Sequence, residues 1–166
     1  LSQKNISNHI ISSGGKMLEK LDPKFSFHYK LPVNSKNFFT YPFLAKKISN
    51  YLNVNNINIV HVRSRGPAWI SSFLKSKNIK TVSTFHNVYE GNSYLKKFYN
   101  KGMTKVNHII AISDYVKKEI SNKYNIDPGK IFVINRGIDT DFFNDNINEK
   151  EKNLFLKKYN IKNDQK

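Results

Sequence analysis

The sequence predicts an α/β fold built on a mostly parallel sheet, and three observations carry that reading. Apolar runs of strand length recur along the chain, segments with one-sided helical spacing lie between them, and turn residues mark each change of period. In such an order each helix covers a sheet face while the chain returns to start the next strand, with right-handed crossovers.

The strands read in order as NHIIS near 8–12, FSFHY at 25–29, INIVHV at 57–62, KTVSTF at 80–85, HIIAIS at 108–113 and KIFVIN at 130–135. Their apolar residues run on with little polar alternation, so burial on both faces is expected. Four helical stripes separate them. Leu44, Ile48, Tyr51 and Leu52 form the first; Trp69, Phe73 and Leu74 the second; Leu95, Phe98, Tyr99 and Met103 the third; Val116, Ile120 and Tyr124 the fourth. Pro42 and Pro67 suit first helical turns, where a missing N–H is harmless; Ser113 before Asp114 suits an N-cap, and Pro128-Gly129 turns the chain into its last strand.

The chain has 166 residues, of which 39% are apolar, enough to bury the core of one domain with a piece of a second. It has no cysteine, which excludes disulfides and thiolate metal sites and favours a reducing compartment. Its five histidines are scattered without an H-x-x-x-H pair, so no metal site is expected. No apolar run approaches the roughly 18 residues that span a bilayer, and the opening LSQKNISNHI lacks the order of a secretory signal. A cytoplasmic protein is expected, with peripheral contact at the inner face of a membrane kept open. The opening also lacks methionine, so the chain is expected to begin inside a larger protein.

The formal net charge is +16, which invites nucleic acid or an anionic surface as a partner. Yet 25 of the 28 basic residues are lysines spread along the chain, and asparagine is nearly as abundant at 23. Arginine is the preferred reader of bases and phosphates, so no nucleic-acid partner is expected. Lys96, Lys97, Lys101 and Lys105 read first as a solvated helix face, and otherwise as an anionic-surface adaptor.

Beyond Asp139 the text turns polar. Residues 1–140 read as one domain, 141–149 as a linker and 150–166 as the entry to a second domain.

In an open parallel sheet, ligands bind outside the carboxyl ends of the strands, where loops and helix N-termini converge. The unusual residues fall there: Ser12-Ser13-Gly14-Gly15, Arg63-Ser64-Arg65-Gly66, His86-Asn87, Ser113 and Asn135-Arg136-Gly137-Ile138-Asp139. A chain that otherwise prefers lysine keeps arginine at 63, 65 and 136, each just after an expected strand. Arg63, Ser64 and Arg65 flank the helix opened by Gly66-Pro67, whose free N–H groups favour a phosphate or carboxylate. Pairing with a carboxylate in a neighbouring loop is the alternative for these arginines. A dinucleotide-binding dehydrogenase competes, but Ser12-Ser13-Gly14-Gly15 stands where a ribose-binding acid is expected and no G-x-G-x-x-G occurs.

Taken together, IVHVRSRGPAW, TVSTFHNVYEG, HIIAISDYVKKEI and KIFVINRGIDTDFF, in this order and spacing, closely resemble the N-terminal half of retaining GT-B glycosyltransferases of glycosyltransferase family 4. The resemblance covers nearly the whole chain. It implies two Rossmann-like domains across a cleft, this one holding a glycan or lipid-linked acceptor, and a second, absent from these 166 residues, holding the nucleotide-sugar donor. It implies hexosyltransferase-type transfer without a metal or other cofactor, the nucleotide-sugar being a co-substrate in cell envelope glycan biosynthesis. His86 maps beside the transferred sugar, Gly14 and Gly15 to the acceptor-side loop, and Ser113, Arg136, Gly137 and Asp139 to the interdomain cleft. Asn135 departs from the proline common before that Arg-Gly, which loosens the loop. The first strand of the family's sheet is expected to be missing between the strands near residues 8 and 57, and this part alone is expected to be inactive. A non-catalytic truncated relic is the alternative.

Overall fold

The computed structural model describes residues 6–75, 78–91, 93–141, 143 and 148–162. The chain divides into two compact units, residues 1–135 and 136–166.

The first unit contains the six expected strands, β1 (Asn8–Ser12), β2 (Ser26–Lys30), β3 (Ile59–Val62), β4 (Lys80–Phe85), β5 (His108–Ala111) and β6 (Ile131–Val133). Four helices accompany them: α1 (Tyr41–Val54), α2 (Arg65–Ser71), α3 (Tyr94–Lys101) and α4 (Asp114–Tyr124). Every strand pairing is parallel, as the alternating order requires. The strands do not form one sheet. β1 and β2 make a pair, and β3-β4-β5-β6 a four-stranded sheet.

Expected burial on both faces holds best at the centre of the larger sheet. Phe85, Ile109 and Ala111 are fully buried, with Val62, Met103, Val116, Ile120 and Ile131 around them. At its margins the apolar residues meet solvent: Ile59 is 64% exposed on β3 and Phe132 50% on β6. β3 and β6 each have one strand partner in this sheet, so one flank and part of each face lack cover.

The second cluster joins Leu31 and Val33 after β2 to Tyr41, Leu44, Ile48 and Leu52 on α1, and to Trp69 and Ile70 on α2. Tyr41 donates its hydroxyl hydrogen to the Ser35 carbonyl at 2.9 Å, satisfying a polar atom inside that cluster. Gly102 lies so close to Trp69 that a Cβ would stand 2.4 Å from its ring.

Two helical stripes differ from expectation. α2 stops at Ser71, so Phe73 lies beyond it and is 41% exposed. The third stripe holds in part: Met103 is fully buried and Tyr99 half-buried, whereas Leu95 is 76% and Phe98 46% exposed and Asn100 is buried in their stead. The inward side of α3 faces a charged guanidinium, described below, which selects an amide and a phenol over aliphatic residues. Ser113 caps α4 as expected, its Oγ accepting from the Val116 N–H at 3.2 Å.

The second unit contains α5 (Glu149–Tyr159), capped by Asn148, with no buried residue. Of the linker expected at 141–149, residues 142 and 144–147 lie outside the described residues, and the units part at 135/136.

Candidate functional site

The carboxyl ends of β3 and β4 lie side by side, because Val62 is in register with Ser83. Arg63 leaves β3 directly and His86 leaves β4 directly. The geometry brings the two together, Arg63 Nη2 standing 3.4 Å from His86 Nε2. Arginine has only donors, so Nε2 accepts, and the contact requires that nitrogen to be unprotonated. At this length the hydrogen bond is weak. Arg63 and Ser64 are exposed and His86 half-buried, which leaves the guanidinium open to an anionic or hydroxyl-bearing partner.

One step back along the same strands, His61 Nε2 lies 2.7 Å from Thr84 Oγ1. Desolvation of the ring, then the Arg63 charge, then His86 lower the His61 pKa from its ordinary 6.5. His61 is exposed, and the lowered pKa favours its neutral form. Sequence reading missed His61, which sits within an apolar run; its place two residues before Arg63, on the same face of the strand, was the available signal.

Arg65 behaves differently from Arg63. Its Nη1 donates to Asn100 Oδ1 at 2.8 Å, and its guanidinium lies 4.9 Å from the Tyr89 ring centre and 5.3 Å from that of Tyr99. Its partners are an amide and two rings, where the sequence suggested a bound anion or a loop carboxylate. Burial raises the Tyr89 phenol pKa, and the Arg65 charge offsets part of that rise. Arg65 thereby ties α2 to α3 and to the loop after His86. With only seven residues, α2 adds little dipole to an anion site, and Ser64 makes no side-chain cap.

Gly14 and Gly15 follow β1 in the two-stranded sheet. Both have positive φ, 106° and 142°, conformations that favour glycine, and the Gly14 N–H donates to Ser12 Oγ at 3.2 Å. Ser12 Oγ also lies 2.9 Å from His28 Nε2, so a polar cluster marks the ends of β1 and β2 as well.

Ser113 uses its oxygen as a helix cap. In the second unit Arg136 and Gly137 are exposed, and the Asp139 carboxylate accepts from the Asp141 N–H at 3.1 Å, closing a local turn. Among the described residues no group of three or more His, Cys, Asp or Glu converges as a metal site would require. No helix among them is long and apolar enough to cross a membrane.

A parallel α/β unit of this order, with helices between successive strands, is a Rossmann-like half-domain. Residues 1–142 match Glycosyltransferase Family 4, and the chain belongs to that family. It is similar to a glycosyltransferase from Rickettsia africae ESF-5 known from a crystal structure, with 36% sequence identity and a TM-score of 0.75 over 98% of this chain. The chain spans 44% of the length of that protein. Among curated proteins nothing matches.

Proposed function

We propose that this chain is the acceptor-side part of a glycosyltransferase that moves a hexose from a nucleotide-sugar to a glycan or lipid-linked acceptor. The observation that carries the reading is the contact of Arg63 with His86 at the carboxyl ends of β3 and β4. In the transfer the anomeric carbon leaves the donor phosphate oxygen and bonds to an acceptor oxygen, whose proton passes to the departing phosphate. His86, unprotonated at the nitrogen facing Arg63, can orient a sugar hydroxyl by accepting its hydrogen bond, and the guanidinium can hold a phosphate or carboxylate on the acceptor. Positioning of this kind accelerates a reaction by fixing the reacting atoms, without a proton moving to the protein.

The donor phosphates are assigned to a second domain, with residues 141–149 as linker and 150–166 as its entry. Ser113, Arg136, Gly137 and Asp139 are assigned to the cleft between the two, and Gly14 and Gly15 to the acceptor side. The nucleotide-sugar is a co-substrate, with no further cofactor. A cytoplasmic protein working at the inner face of a membrane, in cell envelope glycan synthesis, fits the outward side of α3. There Tyr94 is 82% and Leu95 76% exposed beside exposed Lys96, Lys97 and Lys101, an apolar and basic mixture suited to an anionic interface. Lys105 is less available, its Nζ lying 4.8 Å from the Trp69 ring centre.

The test is an assay of the enzyme that contains this chain, with labelled nucleotide-hexoses and both soluble-glycan and lipid-extract acceptors. Label moving into either acceptor, with KM for the acceptor raised about 10-fold by Arg63→Ala, is expected when one charged contact is lost. Transfer unaffected by Arg63→Ala removes Arg63 from the acceptor site.

A further inference from the structure

The sheet alone does not fix the contact of Arg63 with His86. Strand pairing aligns Val62 with Ser83, but Arg63 and His86 both lie past the ends of their strands, in loops outside the ladder. Their contact is already long at 3.4 Å, and a small shift of either loop breaks it.

One buried side chain holds both loops. Asn100 on α3 is 1% exposed, and its Oδ1 accepts from Arg65 Nη1 at 2.8 Å, two residues beyond Arg63. Its Nδ2 donates to the Glu90 carbonyl at 3.3 Å, four residues beyond His86. An amide carries an acceptor and a donor on one planar group, so the same residue answers the loop after β3 and the loop after β4. The second loop lies flush on α3, since a Cβ on Gly91 would stand 2.8 Å from Lys96 Cβ and 3.4 Å from Asn100 Nδ2. Tyr89 adds two further holds. Its ring centre lies 4.9 Å from the Arg65 guanidinium, and its carbonyl accepts from Lys123 Nζ of α4 at 2.8 Å.

The helices that carry this bridge hold one another by other means. Trp69 Nε1 donates to the Tyr99 carbonyl at 2.9 Å, and Gly102 packs against the Trp69 ring. A Cβ on Gly66 would stand 3.0 Å from the Val33 carbonyl oxygen and 3.4 Å from the Tyr99 hydroxyl, so the start of α2 is closely seated. Packing α2 on α3 therefore does not call for an amide at position 100. A buried amide costs free energy unless its hydrogen bonds are met, and a leucine carries no such requirement. Both side-chain hydrogen bonds of Asn100 leave α3 for the two loops, which assigns it to their spacing.

We infer that Asn100, oriented by Arg65, is a positioning residue that sets the spacing of His86 from Arg63. The inference rests on the reading of those two residues as the acceptor site, and it gives Asn100 no contact with the acceptor. Through Arg65 the amide holds the start of α2 and with it the backbone that bears Arg63. Through the Glu90 carbonyl it holds the loop that bears His86.

Asn100→Asp separates the two links, because the carboxylate still accepts from Arg65 but has no donor for the Glu90 carbonyl and repels it. In the enzyme that contains this chain, prepared with isotope-labelled histidine, the His86 ring signal is assigned by its loss in His86→Ala. Asn100→Asp is expected to shift that signal and to lower kcat about 10-fold, as when a group is displaced without being removed. In the His86→Ala background the same change is expected to cost less than about 2-fold, because a residue that acts through His86 has nothing left to position. Gly91→Ala pushes the loop from the other side and is expected to repeat both effects, which keeps the test open where Asn100→Asp weakens the fold. A His86 ring signal unmoved by both variants overturns the inference. Losses that multiply in the double variant overturn it as well, since a residue that only supports the fold lowers both backgrounds alike. Full turnover in His86→Ala overturns the acceptor reading instead, and the ring signal, recorded without substrate, tells the two failures apart.

Discussion

The tripeptide His-Ile-Ile occurs twice, at residues 9–11 in β1 and 108–110 in β5, and the two copies meet different fates. In β5, Ile109 is fully buried between β4 and β6. In β1 all five residues are only half-buried, with β2 as the sole ladder partner among the described residues. Composition is the same; neighbours differ. A strand contributes apolar burial in proportion to what lies on both its flanks and both its faces, and the two-stranded half lacks one flank.

The largest effect expected from that difference is in the matched truncations. Ile109→Ala is expected to cost about 2–5 kcal/mol, because it opens a cavity in a closed core, whereas Ile10→Ala at a half-open position costs about 1 kcal/mol or less. Urea midpoints for the two variants measure it, and equal losses would end the comparison.

Arg65 gives a smaller effect within the better-packed half. Arg65→Lys keeps the charge but loses the planar stacking on Tyr89 and Tyr99 and the fork toward Asn100, and about 1 kcal/mol of stability is expected to go with them. Calorimetric titration of the folded variant with inorganic phosphate should match the parent chain. A phosphate affinity that falls while stability stays unchanged would return Arg65 to an anion site.

The smallest effect is in pH dependence. The folded state lowers the His61 pKa, so it binds fewer protons than the unfolded chain near and below the ordinary 6.5. The stability this gives is present above pH 6.5 and is lost as pH falls through the folded value. Replacing the ring by His61→Gln should flatten the fall of the urea midpoint between about pH 7 and pH 5, the range set by an ordinary imidazole. An unchanged slope would show that other groups carry it.

Much of the architecture was legible in sequence, and the reasons are physical. Six apolar runs became six strands because β-branched residues fill a pleated surface, and Ser113 capped its helix because its oxygen answers a free N–H. Arg63 and His86 stood out as polar residues at strand ends, and the fold places them in contact. What escaped were relations between distant residues. His61 meets Thr84 across 23 positions and Arg65 meets Asn100 across 35, and no local period encodes either. The exposure of Leu95 and Phe98 escaped for the same reason, since the inward side of α3 is chosen by a guanidinium on another element.

If chemistry sits at the carboxyl ends of the strands, two histidines at opposite ends of the same sheet differ in their effect on turnover. His86 follows the carboxyl end of β4, while His108 opens β5 at its amino end against Phe132. In the enzyme that contains this chain, His86→Ala is expected to lower turnover by about 10-fold or more with native circular dichroism, and His108→Ala to leave turnover within about 2-fold. Equal turnover in the two variants, or a greater loss at His108, would contradict the account.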